Sequence, residues 1–520
     1  MKYGVFSQNE FIYTDSYLQN GKETISVDAP RGSFAAAQVA FRASSNVKIR
    51  WEGDLPSPQI YRLVPVYVGC NSDIGFNGTN YLVPKGEFVN WATRKAPFSV
   101  FDAMESITDT VEIYDEGNTA IYLKWSTFGL AAGEYSGTLK LTDNEEAIEI
   151  PVAITVFPVE VPRKETLRVT NWFRPEFMAS HFGCEKFSDE HWESIKKHGE
   201  IMREARQTDF IVTQFLFRHT IDESGNNHFD FTNAKRFIEL YLSLGFSYIE
   251  GPIMLFRTDW HSPNILVRIK GEAVSAVGEK GIKYLSDFFT QWYAFLKENG
   301  WTKITTQHIC DEPGEHCIPE YKILSDLVHK CMPGVKTIEA LADPSFADTV
   351  DIMVPKSIRY LKNKDAFDKI KQEREVWFYT CCDPGGEYLN RLLDQELIRT
   401  RYLHWTNYIY GLKGYLHWGF NQYVYKELFV CCEEKNGASD GPLPAGDSHI
   451  VYPKDNKLLP SVRLEMMRAG CEDYELISLL AKKNKQKADA IVSSVIRSFT
   501  DYTKNVDEFE AAYKKLLEML

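Results

Sequence analysis

The sequence lacks an excess of positive charge. Its 59 lysine and arginine residues are outnumbered by 72 aspartate and glutamate residues, and the formal net charge at pH 7 is −13. Proteins that bind nucleic acid concentrate Lys and Arg where they meet the phosphate backbone. The composition therefore argues against this class, and no nucleic-acid partner is expected.

Long apolar runs are also missing. No hydrophobic stretch approaches the roughly 18 residues that a membrane-spanning helix needs, so no membrane span is expected. The first residues, MKYGVFSQNEFIY, do not show the charged and then apolar pattern of a signal peptide. We therefore expect a cytoplasmic protein, or a secreted or periplasmic one if a leader has been removed.

The ten cysteines lack the regular spacing of a disulfide framework. They include two adjacent pairs, Cys381-Cys382 and Cys431-Cys432, and free thiols in a reducing compartment explain them best. A dense group of possible metal ligands lies between His308 and Cys317, but it contains neither C-x-x-C nor H-E-x-x-H. We expect no metal ion, and no motif implies a cofactor.

The 520 residues exceed one ordinary domain. Residues 1–160 contain short alternating runs, such as ETISVDAP and AAAQVAFRA, which Gly, Pro, Asn and Asp interrupt at close intervals. This pattern predicts a β-sandwich, to which we assign an accessory role. The two prolines of FPVEVPRK (157–164) are typical of a linker.

From residue 165 onward, short apolar runs alternate with long amphipathic ones. The candidate strands are 167–173, 210–217, 248–256, 304–310, 337–342, 351–355, 376–382 and 414–420. Eight strand and helix pairs predict a (β/α)8 TIM barrel over residues 165–485, although 343–350 leaves barely two turns for its fifth helix. Residues 486–520 are predicted to form C-terminal helices packed on the barrel. The fold class is thus multidomain, α+β and α/β.

Two adjacent acids end the fourth predicted strand. Asp311 and Glu312 follow ITTQHIC, and Pro313 stops the strand because it has no N–H for the ladder. Like charges raise one another's pKa, so one acid of such a pair can stay protonated near neutral pH and donate a proton. In a barrel, the carboxyl ends of the strands carry the chemistry. A solvated Asp-Glu-Pro turn is the alternative interpretation.

The other predicted strand ends offer few carboxylates that could act together with this pair. An ordinary retaining glycosidase needs one about 5–5.5 Å from its acid, usually from another strand. At the other strand ends only Asp343 and Asp383 come near. We therefore predict that the 2-acetamido oxygen of the substrate attacks the anomeric carbon, that Asp311 orients the acetamido N–H, and that Glu312 protonates the leaving oxygen. A retaining glycosidase that uses Glu312 with Asp343 or Asp383, or a carbohydrate-binding barrel without activity, remains open.

Aromatic residues make up 13% of the chain, which suits a protein that stacks on sugar rings. Four of them lie at or just past predicted strand ends and could bind substrate, although aromatic side chains also build cores. They are Trp172, Tyr379, Trp418 and Tyr423. Two polar residues are further candidates: Asn421 could bind a sugar hydroxyl, and His261 follows the third strand.

Four motifs together resemble glycoside hydrolase family 123. They are Asp311-Glu312-Pro313, the strand GYLHWGFNQY (414–423), the segment GDSHIVYP (446–453) and the helix pattern R-x-E-x-x-R-x-G-x-E-D-Y-E (463–475). The resemblance covers most of the chain and implies an N-terminal β-sandwich followed by a (β/α)8 barrel.

The same resemblance implies a function. The expected activity is that of an exo-acting β-N-acetylgalactosaminidase, which retains configuration through substrate-assisted catalysis and an oxazolinium intermediate. Its substrate would be a glycan or glycolipid with a terminal 2-acetamido sugar. Asp311 would polarise the acetamido group, Glu312 would be the acid/base, and Tyr379, Trp418 and Asn421 would border the pocket. The segment FRTDWHSPNI (256–265) matches the family only loosely, which leaves the choice between GalNAc and GlcNAc open. The aglycone, the linkage and the oligomeric state also remain open.

Overall fold

The structure is a computed structural model that describes residues 1–75, 81–84, 86, 87, 89, 91–144, 146–423, 427–431 and 442–520. The chain divides into two compact units. The first unit holds Met1–Thr166, Cys382–Gly411 and Tyr423–Leu520, and the second holds Leu167–Cys381 and Leu412–Gln422. Among the described residues, no helix is long and apolar enough to cross a membrane.

The N-terminal part of the first unit is rich in β structure. Its strands are β1 (Lys2–Ser7), β2 (Ile25–Arg31), β3 (Phe34–Arg42), β4 (Val47–Gly53), β5 (Gln59–Val68), β6 (Phe98–Ile107), β7 (Thr110–Val111), β8 (Thr119–Ser126), β9 (Gly133–Thr142) and β10 (Ala147–Glu160). One sheet has the order β1-β3-β8-β5, and both β6 and a short later strand, Val430–Cys431, also pair with β5. The other sheet has the order β2-β10-β9-β4-β7.

Both sheets contribute to one apolar core. Every second residue of β10 is buried from Ile150 to Val156, as expected for a strand with one face on a core. These side chains belong to the same buried cluster as Val39 and Ile121 of the other sheet. The alternation visible in the sequence therefore sets which face of each strand is buried.

The second unit alternates parallel strands and helices. Its strands are β11 (Arg168–Asn171), β12 (Asp209–Ile211), β13 (Arg218–Ile221), β14 (Asn227–Asp230), β15 (Tyr248–Gly251), β16 (Leu255–Phe256), β17 (Leu266–Ile269), β18 (Glu272–Ser275), β19 (Thr305–Gln307), β20 (Lys336–Ala340), β21 (Ile352–Val354), β22 (Glu375–Val376), β23 (Phe378–Tyr379) and β24 (Gly414–His417). Its helices are α1 (Pro175–His181), α2 (Asp189–Glu204), α3 (Thr232–Ser243), α4 (Glu279–Glu298), α5 (Ile318–Cys331), α6 (Ser357–Lys362) and α7 (Lys364–Ile370).

Strand pairing in the second unit is mainly parallel. One sheet has the order β12-β15-β19-β20-β21-β22, and another has the order β11-β24-β23. Every one of the eight predicted strand segments overlaps one of these strands. The connection between β20 and β21 contains only the 3-10 helix Pro344–Asp348, because the chain there is too short for the longer helix of the other connections.

The helices of the second unit follow the 3.6-residue period. In α4 the buried residues recur at spacings of three and four, from Tyr284 to Leu296, as in an amphipathic helix with one face on a core. Helix α2 begins after Ser188, whose hydroxyl accepts a hydrogen bond from the His191 N–H. Local sequence signals thus fix both the start and the buried face of these helices.

The remaining elements belong to the first unit. They are α8 (Ile398–Tyr410), β25 (Val430–Cys431), β26 (Tyr452–Lys454), β27 (Lys457–Leu459), α9 (Val462–Val495) and α10 (Val506–Glu518). Non-helical dihedral angles at Asn484 (φ −155°, ψ 93°) interrupt α9.

This division differs from the predicted domains 1–160, 165–485 and 486–520. Residues 382–411 and 423–485 group with the N-terminal sheets instead of with the parallel strands. The reason is packing: Leu397, Val462 and Met466 share an apolar cluster with Leu63 and Phe101 of the N-terminal sheet. Sequence periodicity predicts that these helices are amphipathic, but it does not say which sheet they cover.

The charged helix pattern of residues 463–475 forms buried ion pairs inside the first unit. Arg463 pairs with Asp102 on β6 at 2.9 Å, and Glu465 pairs with Lys124 on β8 at 2.7 Å. Breaking a buried pair leaves an uncompensated charge, which typically costs about 3–5 kcal/mol. This pattern therefore attaches α9 to the N-terminal sheet and is structural.

Candidate active site

The two acids follow the carboxyl end of a central parallel strand. The strand β19 lies between β15 and β20, and the chain continues from it through His308, Ile309 and Cys310 to Asp311 and Glu312. Both acids are partly exposed. The carboxyl ends of neighbouring parallel strands meet at one edge of a sheet, so side chains from β15, β20, β21 and β23 can reach this pair.

Two groups from other strands hold the Glu312 carboxylate. The Tyr379 hydroxyl, at the end of β23, donates a hydrogen bond to Glu312 Oε1. The Lys356 ammonium group, just after β21, lies 3.4 Å from the same oxygen, and its side chain is 16% exposed. Burial raises the pKa of Tyr379 well above its ordinary value, and the Glu312 charge raises it further, so this phenol remains a hydrogen-bond donor.

The backbone of Glu312 is strained. Its φ of 46° lies in the left-handed region, which costs a non-glycine residue about 1–2 kcal/mol. One Arg257 nitrogen, Nη2, donates to the Glu312 carbonyl oxygen at 2.5 Å and stabilises this conformation. Strained backbone is concentrated at functional sites, and here it coincides with a carboxylate that two side chains orient.

A buried triad lies behind the pair. The protonated imidazole of His308 donates from Nε2 to Glu250 at 2.8 Å and from Nδ1 to Glu339 at 3.2 Å, and all three side chains are fully buried. Burial alone would lower the pKa of His308, but the hydrogen bonds and charges of the two glutamates raise it to about 10. His308 is therefore protonated at neutral pH, between the two glutamates that stabilise its charge.

Glu339 connects this triad to the backbone in front of the pair. Its Oε2 accepts hydrogen bonds from the backbone N–H groups of Ile309 at 2.9 Å and Cys310 at 2.8 Å. The Tyr321 hydroxyl donates to the same oxygen at 3.2 Å. A buried carboxylate on β20 thus fixes the two residues that precede Asp311.

The pKa of Asp311 is raised to about 7. Burial is the main cause, and the negative charges of Glu312 and Glu339 add to it, while His308 and Arg257 act in the opposite direction. The sequence predicts that one acid of the pair retains a proton near neutral pH and assigns that role to Glu312. In the structure, the raised pKa belongs to Asp311.

Trp172 lies behind the site. It is 6% exposed, its indole N–H donates to Glu250 at 3.2 Å, and its ring stands edge-on to His308, with centroids 5.4 Å apart. In this position Trp172 supports the triad, and its predicted contact with substrate stays a prediction.

Asn421 is fully buried, and both ends of its amide bind backbone. Its Oδ1 accepts a hydrogen bond from the Arg174 N–H at 2.8 Å, and its Nδ2 donates to the Arg174 carbonyl at 3.0 Å. The amide thus joins the segments that follow β24 and β11. Binding of a sugar hydroxyl by Asn421, as the sequence predicts, would require these bonds to be exchanged.

The other predicted residues lie in different settings. Trp418 is partly exposed just after β24, and His261 is exposed in the loop after β16. Tyr423 belongs to the first unit, where it is buried and packs edge-on against His449 with centroids 5.9 Å apart. Of the predicted substrate-binding residues, Tyr379 is the one for which a direct contact with the acid pair is observed in the described part of the chain.

Sequence reasoning missed several residues of this site. They are Glu250, Arg257, His308, Glu339 and Lys356. A weak signal was present for two of them, because Glu250 and Glu339 are single acids inside apolar strands, which is where a paired buried carboxylate is expected. Which groups pair with them depends on strand order, which the sequence pattern does not give.

One group of possible metal ligands occurs among the described residues. Cys381, Cys382 and Asp383 have ligand atoms within 4.8 Å of one another. They are consecutive in sequence, which by itself brings them close, and Cys382 Sγ donates to Asp383 Oδ1 at 3.8 Å. This group gives no basis for assigning a metal.

Comparison with known proteins gives a family match. The family model described as glycoside hydrolase 123, catalytic domain, matches residues 172–480. A search of curated proteins gives no significant match.

Similar solved structures include a family 123 glycoside hydrolase from Clostridium perfringens, studied for glycolipid glycan hydrolysis. It is 15% identical, with a TM-score of 0.77 over 99% of this chain and 96% of that chain, and this likeness shows the fold. A Parabacteroides merdae β-glucuronidase is 10% identical over 84% of this chain and 50% of that one, with a TM-score of 0.36. A Marinomonas ef1 β-galactosidase is 9% identical over 63% and 62%, with a TM-score of 0.40, and neither of these two supports an argument.

Proposed function

This chain belongs to glycoside hydrolase family 123, and from that premise we propose that it is an exo-acting, retaining enzyme that releases a terminal β-linked 2-acetamido sugar. N-acetylgalactosamine is the expected sugar. The substrate would be a glycan or glycolipid, and the solved family 123 enzyme studied for glycolipid glycan hydrolysis supports this choice.

In the first step, the acetamido carbonyl oxygen of the substrate attacks the anomeric carbon as the bond to the leaving oxygen breaks. Glu312 gives its proton to that oxygen, and the Asp311 carboxylate accepts a hydrogen bond from the acetamido N–H of the forming oxazolinium ion. In the second step, water attacks the anomeric carbon, Glu312 takes the proton of the water, and the acetamido group re-forms. Two inversions retain the configuration.

The observation that carries this proposal is the Glu312 carboxylate, which Tyr379 and Lys356 orient beside Asp311. Consecutive side chains of a regular strand face opposite sides, but the left-handed backbone of Glu312 breaks this alternation. This supports a pair that acts on one bound sugar. The mechanism requires Asp311 to be ionised in the substrate complex, where its carboxylate accepts the hydrogen bond from the acetamido N–H.

A separate carboxylate nucleophile has less support. Asp343 Oδ1 accepts a hydrogen bond from the Ser345 N–H and caps the 3-10 helix Pro344–Asp348. This cap gives Asp343 a structural role and does not favour it as the nucleophile.

We further propose that the parallel strands of the second unit close into a (β/α)8 barrel and that the N-terminal sheets form a β-sandwich. Closure is supported by the parallel pairing of β11 with β24 and by the Thr208 N–H, which donates to the Val169 carbonyl next to β11 at 3.1 Å.

The test compares three aryl glycosides. The 2-acetamido β-galactoside should be the best substrate, its gluco epimer should be weaker, and the plain β-galactoside should not be turned over. A thiazoline analogue of the oxazolinium ion should inhibit competitively. Comparable turnover of the plain β-galactoside would exclude substrate assistance, and a preference for the gluco epimer would exclude the GalNAc assignment.

A further inference from the structure

Trp260 lies in the loop after β16 and is 48% exposed. A single exposed apolar side chain is ordinary in itself. Trp260 differs because one arginine donates hydrogen bonds both to its backbone carbonyl and to the backbone carbonyl of Glu312.

Arg257 makes this connection. Its Nη1 donates to the Trp260 carbonyl oxygen at 2.9 Å, and its Nη2 donates to the Glu312 carbonyl oxygen at 2.5 Å. The guanidinium group also lies 5.3 Å from the centroid of the Trp260 ring. One rigid, planar group therefore holds the exposed indole at a fixed position relative to the backbone of Glu312.

The loop is held at a second point. The Asp259 carboxylate accepts a hydrogen bond from the His261 N–H at 2.8 Å, and this bond lowers the pKa of Asp259. The indole thus belongs to an ordered turn that also carries exposed polar groups able to bind sugar hydroxyls.

We propose that Trp260 forms the leaving-group subsite, where it stacks on the pyranose ring that carries the leaving oxygen. This inference rests on the proposed function, in which Glu312 protonates that oxygen. The ring bonded to the oxygen must lie beside Glu312, and Trp260 is the exposed aromatic surface that the structure ties to this residue. The ligand is a hexopyranose of the glycan chain, not the terminal 2-acetamido sugar.

The test separates the leaving group from the terminal sugar. Trp260→Ala would be assayed on a disaccharide with a terminal β-linked 2-acetamido sugar and on the matching 2-acetamido β-glycosyl fluoride, whose leaving group has no ring. Loss of one aromatic stacking contact should lower kcat/KM for the disaccharide about 3- to 10-fold. The kcat/KM for the fluoride should stay within about twofold, and Trp260→Phe should recover most of the loss.

Phe128 provides the matched control, because it is 56% exposed and its ring packs on Phe34 of β3, with centroids 5.5 Å apart. Phe128→Ala should leave both substrates unaffected. An equal loss on the disaccharide and the fluoride in Trp260→Ala, or no loss on either, would overturn the leaving-group subsite while the proposed function stands. If the unaltered protein hydrolyses neither substrate, the proposed function fails and the subsite fails with it.

Discussion

Glu339 is expected to position the acid pair without touching substrate, and its replacement separates geometry from charge. Its Oε2 holds the backbone of Ile309 and Cys310, and its Oε1 accepts from His308. Glu339→Gln keeps an oxygen that can accept the two backbone bonds but removes the negative charge. Glu339→Ala removes both.

The magnitudes follow from these contacts. In Glu339→Gln, the protonated His308 loses a buried charged partner, which should cost about 1.5–3 kcal/mol of unfolding free energy. In Glu339→Ala, the buried donors of Ile309 and Cys310 also lose their acceptor, at about 1–3 kcal/mol each. A displacement of about 1 Å in the reacting groups can lower the rate about 10²-fold, and this is the loss of kcat expected for Glu339→Ala.

The pH profile distinguishes this role from a general loss of stability. The negative charge of Glu339 contributes to the raised pKa of Asp311, so Glu339→Gln should move the acidic limb of kcat/KM to lower pH while kcat at its optimum falls only a few-fold. The assay is hydrolysis of the aryl 2-acetamido β-galactoside between pH 4 and 9, with thermal unfolding measured in parallel.

Asp351, which directly precedes β21, offers a matched control because it binds the amino end of β20, the strand that carries Glu339. Its Oδ2 accepts a hydrogen bond from the Thr337 N–H of β20 at 2.8 Å. Asp351→Asn should lower the unfolding midpoint and leave the acidic limb in place. A positioning role for Glu339 would be refuted if Glu339→Gln left the acidic limb of kcat/KM where it is in the unaltered protein, or if Glu339→Ala kept kcat within about threefold.

Three further predictions concern the pair itself. For the unaltered protein, kcat/KM should fall as the pH drops through about 7, because protonated Asp311 cannot accept the acetamido N–H; an unchanged kcat/KM down to pH 5 would contradict this. Asp311→Asn should abolish turnover but raise the unfolding free energy at pH 8 by about 2–4 kcal/mol, since a carboxyl with a raised pKa destabilises the fold above that pKa. This gain should fade as the pH falls towards 4, where the native Asp311 is protonated in the unfolded chain as well, and equal stability of the two proteins at pH 8 would argue against it. Glu312→Gln should lower kcat about 10²- to 10⁴-fold with KM little changed, and a loss under tenfold would remove Glu312 as the acid.

The positions of the strands and of the acid pair could be predicted from local pattern. Alternating and 3.6-residue periods indicate which face of an element is buried. Pro313 indicates only how far a strand can extend, and β19 ends before it, at Gln307. These signals act over a few residues, so the sequence alone locates Asp311 and Glu312 after the fourth predicted strand, which corresponds to β19.

The partners of the pair could not be predicted in this way. Tyr379 and Arg257 bind Glu312 across separations of 67 and 55 residues. For Asn421, the sequence pattern predicts a contact that the structure does not show. Its place at a strand end suggests a sugar contact, whereas its amide binds the backbone of Arg174, 247 residues away. Strand order decides both cases.

The sequence alone determined that two neighbouring acids follow a strand in an alternating strand and helix region, because backbone preference and side-chain periodicity are local properties. Tertiary structure alone decided that Asp311 has a pKa of about 7, that His308 is charged between two buried glutamates, and that Trp260 is fixed to Glu312 through Arg257. These properties depend on burial and on charges that distant strands bring within a few ångströms, and neither quantity exists until the chain has folded.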